Sequence, residues 1–100
     1  MAVVTTDLYI RPEDGWVLVA TNPSSVLIKP QDFHPWFVAI TAAGAPAANL
    51  IGVQMGRGND ARRESFQTGP VAGLVYIRVR DPIADRPTNQ KTRFGVIVDA

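Results

Sequence analysis

One hundred residues, of which 46% are hydrophobic and 19% charged, make one domain whose surface is short of charge, against roughly 25% charged in average soluble domains. The formal net charge of +1 gives no long-range field to gather nucleic acid or another acidic partner. With no cysteine, disulfide frameworks, thiolate zinc sites and cysteine nucleophiles are excluded together.

Val3 and Val4 are β-formers, but nothing before them fixes a register. Residues 1–6 are therefore expected to be a flexible N-terminal arm that pairs with something, an edge strand being the other reading. The start has no basic segment, and no apolar run is long enough for a signal peptide or a membrane span. A protein made and used in the cytoplasm, or assembled there into something larger, is expected. Leu8-Tyr9-Ile10 is a short strand stopped by Pro12, and Pro12-Glu13-Asp14-Gly15 is a turn by composition. Trp16 to Thr21 is apolar on both faces, which predicts a strand that is central or lies against a partner.

After Asn22-Pro23-Ser24-Ser25, the run Val26-Leu27-Ile28-Lys29 is the next strand, closed by Pro30. The short link at Gln31-Asp32 predicts that it pairs antiparallel with the following strand, Trp36 to Thr41. That strand opens on two large aromatics and belongs in the core. Alanines at 42–48 favour helix, but Gly44 and Pro46 interrupt any run long enough to be stable, which leaves a loop. Leu50 to Met55 is a weaker strand, Gly56 to Asp60 a loop, and Asp60 to Glu64 holds at most one helical turn. Ser65 to Thr68 runs extended into the Gly69-Pro70 turn.

The clearest strand is Gly73 to Arg80, bounded by proline and glycine before it and by Asp81-Pro82 after it. Alternation puts Val75, Ile77 and Val79 on a dry face. Leu74, Tyr76, Arg78 and Arg80 fall on the other, an amphipathic surface of the kind found at interfaces. Asp81 to Lys91 is polar and proline-bearing, a surface segment suited to contact. Thr92 to Asp99 closes the chain as a strand tied into a sheet. About six to eight short strands without a helix point to an all-β domain over residues 1–100, an antiparallel β-sandwich or β-barrel. Trp16, Trp36, Phe37 and Phe94 supply bulk to fill a sandwich.

Chemistry is sparse. His34 is the only histidine, so a metal site would need carboxylates alone to complete it, and no spacing provides one. Gly52 to Gly58 lacks the lysine-hydroxyl ending and the helix of a phosphate loop. No nucleophile, base and orienting group can be assembled, so neither an enzyme nor a cofactor is expected.

Trp16-Val17-Leu18-Val19-Ala20-Thr21, the middle Gly52-Val53-Gln54, and Val75-Tyr76-Ile77-Arg78 after a Gly-Pro turn precede a β C-terminus. This layout resembles the small virion structural proteins of tailed bacteriophages, in particular their capsid decoration (cement) proteins. The resemblance implies a β-sandwich or β-tulip-like domain, often a homotrimer, on the outer capsid surface of the virion. There it would bind the major capsid protein where capsomers meet, with no active site, and would be assembled in the bacterial cytoplasm. The residues expected at the capsid or subunit interface are Val3 and Val4 of the arm, Tyr76, Arg78 and Arg80, and Asp85, Arg86 and Lys91 of the proline-stiffened segment. The alternative is a tail or host-recognition component that binds a glycan or receptor through Phe33, His34 and Trp36.

Overall fold

Short runs of β-branched and aromatic residues punctuated by proline, glycine and asparagine form strands throughout the computed structural model. It describes residues 3–11, 14–31, 36–47, 50, 52–55, 65–79 and 92–99. The strands are β1 (Val3–Ile10), β2 (Val17–Thr21), β3 (Ser25–Pro30), β4 (Trp36–Thr41), β5 (Val53–Met55), β6 (Phe66–Thr68), β7 (Leu74–Val79) and β8 (Thr92–Asp99).

They make two four-stranded sheets, ordered β1-β8-β3-β6 and β2-β7-β4-β5, with every pairing antiparallel. The pairings β4 with β5, β3 with β6, β2 with β7 and β1 with β8 are successive rungs of one long antiparallel ribbon. A two-stranded ribbon is marginal in water because one apolar face stays wet. Here the ribbon wraps so that alternate rungs fall in opposite sheets, and β3 with β8 and β4 with β7 close the two layers. That wrapping is a jelly-roll β-sandwich.

The core lies between the sheets. Ile10, Val26, Ile28, Phe94 and Val96 come from one layer, and Ala20, Trp36, Val38, Val75, Ile77 and Val79 from the other. Trp36 meets Phe94 edge to face across the gap, with ring centroids 5.2 Å apart and planes at 67°. Val75, Ile77 and Val79 are buried, as alternation requires.

Crossings between layers are held by backbone. Asn22 takes a left-handed φ of 45°, which asparagine tolerates, and its N–H donates to the Gly73 carbonyl at 2.7 Å. Ser24 N–H donates to the Asp99 carbonyl at 2.7 Å, and Val71 N–H to that of Pro23 at 3.0 Å. The β2 to β3 connection is thereby laced to the start of β7 and the end of β8.

Three sequence expectations change. Residues Val3 to Thr6 are not a flexible arm but, as in the other reading, part of an edge strand, the first half of β1, in register with β8 from Val3 opposite Asp99 to Ile10 opposite Thr92. Leu8 and Ile10 alternate onto the core beside Phe94 and Thr92, and that burial fixes the whole strand. Next, β3 and β4 do not pair with each other; each pairs within a different sheet. Both carry a dry face, and placing them in opposite layers lets Ile28 and Trp36 join one core. Finally, β2 is an edge strand and not a central one. Val17 and Val19 pack against the core, and Leu18, opposite Tyr76, is the apolar residue that faces outward and stays exposed. The helical turn weighed for Asp60 to Glu64 lies outside the described residues.

Candidate interaction surface

Two outward faces bear on function, one on each sheet. In the β1-β8-β3-β6 sheet, the register lays out rows across neighbouring strands: Val3, Asp99 and Ser25; Thr5, Ile97 and Leu27; Asp7, Gly95 and Lys29; then Tyr9 and Arg93. Alternation from the buried Ile10, Phe94 and Ile28 directs these residues away from the core. Apolar residues here are solvent-exposed in number: Val3 at 62%, Tyr9 at 58% and Ile97 at 40%. Gly95 leaves a gap in its row, and a Cβ there would meet the Gln31 Nε2 at 3.3 Å.

This face ends at an open edge. Among the described residues no strand pairs with the outer side of β1, although it is eight residues long and contains no proline. Asp7 is its one charged residue. Natural edges are commonly short, kinked or studded with lysine, because unpaired backbone donors and acceptors invite another strand. Val4, on the core-facing side of β1, adds an apolar side chain that is 53% accessible.

The outward face of the second sheet is covered in its middle by the chain itself, while Leu18 at its β2 edge stays exposed. Arg78 sits with its guanidinium carbon 5.1 Å from the Trp16 ring centroid and 5.3 Å from that of Phe37. The cation is attracted to both ring faces, and its own stem covers apolar surface. Tyr76, Phe37 and Ala39 are buried on this same side. The Trp16 ring extends to Gly52, whose φ of 77° and lack of a side chain allow the close approach.

That contact makes a testable demand. A Cβ at Gly52 would lie 2.7 Å from the Trp16 ring and 2.9 Å from the Val38 carbonyl oxygen. Gly52→Ala is expected to cost about 1–2 kcal/mol from the left-handed backbone alone. Its signature would be displacement of Trp16, read as a red-shifted tryptophan emission that is absent in a Trp16→Phe background. Unchanged emission together with an unchanged urea midpoint would refute this packing.

The interface residues anticipated from sequence therefore separate. Val3 and Val4 are exposed on β1. Tyr76 is buried and Arg78 is half-buried between aromatic rings, so both are engaged within the chain. Arg80, Asp85, Arg86 and Lys91 lie outside the described residues, as do Phe33 and His34. Trp36, the remaining aromatic of the glycan reading, is wholly buried and offers no face to a sugar. Among the described residues no group of histidine and carboxylates is placed to hold a metal ion. Tyr9 and Ile97 were missed from sequence, although period two from Ile10 and from Phe94 places both on the outer face once each strand's dry side is known. No family model, curated protein or solved structure matches the chain.

Proposed function

We propose that this protein is a non-enzymatic virion structural subunit, a capsid decoration protein that binds the major capsid protein on the outside of a phage head. One observation carries most of the reading: an eight-residue open edge, β1, flanks an outward face with exposed Val3, Tyr9 and Ile97. Such a face suits attachment to another protein surface through its exposed apolar side chains. Jelly rolls occur in viral capsid and lectin domains, which supports the reading at the level of fold analogy only. On a symmetric shell, weak contacts add, because each further engagement of a tethered subunit is intramolecular.

The test is co-sedimentation with undecorated shells assembled from a tailed-phage major capsid protein. The chain should pellet with assembled shells, stay in solution with unassembled capsid protein, and raise the temperature at which shells rupture. Replacing Tyr9 and Ile97 together by aspartate should weaken that binding by roughly tenfold or more, the scale of losing a central apolar contact. Wild-type protein that leaves shells bare, or a double variant that binds them as tightly, would reject the proposal.

A further inference from the structure

We infer that the open edge of β1 is a self-association site: two copies pair their β1 strands antiparallel about a two-fold axis centred on Thr6. The inference goes beyond the shell reading and does not depend on it. An antiparallel pair of identical strands in one continuous sheet is related by an axis perpendicular to that sheet, so outward residues face outward residues and inward face inward. Only a few registers satisfy this.

Centring on Thr6 places Val3 opposite Tyr9 of the second copy and Thr5 opposite its Asp7 on the outer face. On the core-facing side Val4 meets Leu8 of the second copy, and the two Thr6 residues meet at the axis. Apolar thus meets apolar on both faces, and the Thr5 hydroxyl can donate to a carboxylate. Centring on Thr5 sets Val3 against Asp7 and Val4 against Thr6. Centring on Asp7 brings the two Asp7 carboxylates face to face, which like-charge repulsion disfavours. Of these registers the Thr6 one alone sets Val3, Val4 and Tyr9, three of the exposed large hydrophobic residues, each against an apolar neighbour.

The product would be an eight-stranded sheet running from the β6 of one copy to the β6 of the other, built from the two β1-β8-β3-β6 layers. Among the described residues β1 is the longest edge strand, and using it antiparallel about a two-fold axis closes the assembly at two copies. A pair therefore replaces the trimer that the bacteriophage resemblance implies.

Sedimentation equilibrium of the isolated full chain tests this. The expected mass is twice that of the chain at high concentration, with amide exchange in β1 slowing as concentration rises. Thr6 is exposed, so Thr6→Lys should fold normally. It should weaken pairing by about tenfold or more through two opposed ammonium groups at the axis. Mixing Thr6→Lys with Thr6→Glu should restore pairing, whereas Thr5→Lys, which gains Asp7 of the second copy as its neighbour, should leave pairing intact or tighten it. A monomer at every concentration, a trimer, or a Thr6→Lys variant that pairs like the wild type would overturn the inference.

Discussion

Replacing Trp36 by alanine is expected to remove about 3–5 kcal/mol of stability, the range for truncating a large aromatic in a packed core. A domain of this length has only about 5–15 kcal/mol in total, so the variant should sit close to its unfolding threshold at room temperature. Trp36 is fully buried at the start of β4 and contacts Phe94 of the facing sheet, so its loss opens a cavity between the layers that neither sheet can close alone. The edge-to-face pair should appear as a coupling of about 0.5–1.5 kcal/mol in a double-mutant cycle with Phe94→Leu. Trp36→Phe should be markedly milder. Among the described residues the buried indole N–H of Trp36 has no hydrogen-bond partner, and phenylalanine removes that donor along with some volume. Urea unfolding of the three variants checks the order. Equal midpoints for Trp36→Ala and wild type would mean that the residue does not bridge the sheets.

Gly73→Ala should be of similar severity for a different reason. Gly73 is buried where the chain enters β7, at φ 154°, and a Cβ there would collide with the backbone carbonyl oxygen of Thr41 on β4. Backbone cannot swing aside as a flexible side chain can. The strained conformation costs about 1–3 kcal/mol and the overpacking about as much again. Displacing β7 would also disturb the bond from Asn22 N–H to the Gly73 carbonyl, which anchors the β2 to β3 crossing. The expected fall in melting temperature is about 10–20 °C for a domain of this size. Gly44→Ala is the control: φ is again positive, at 75°, but no atom lies within 4 Å of the added carbon. It should cost only about 1–2 kcal/mol, for backbone conformation alone. If the two variants melt together, contact with Thr41 is not what holds glycine at position 73.

Much of the local structure was legible because it depends on neighbours in sequence. Period-two alternation in Val75, Ile77 and Val79 marked their dry face, the strand from Trp36 begins beside Pro35, and the strand from Phe66 ends at Gly69-Pro70. Proline withholds a ladder donor, while glycine and asparagine reach backbone conformations other residues avoid. The absence of thiol chemistry is likewise a matter of composition, since the chain has no cysteine in any fold.

Position within the sheets was another matter. An apolar second face on β2 reads the same whether a strand is central, lies against a partner, or is an edge whose outward residue, here Leu18, stays exposed. Only the folded chain shows Trp16 reaching across to Gly52 and stacking on Arg78. The amphipathic row of Tyr76 and Arg78 has the composition of an interface, yet it is occupied by the chain's own aromatic rings. Conversely, Val3 to Thr6 acquired a fixed place through β8, which lies almost the full chain length away. Sequence by itself determined strand-forming runs and which faces were apolar, because those follow from backbone sterics and side-chain transfer between near neighbours. Tertiary structure alone decided which strands are edges and which apolar faces remain uncovered, because pairing in a jelly roll joins segments far apart in sequence, and exposure belongs to the closed sandwich rather than to any segment of it.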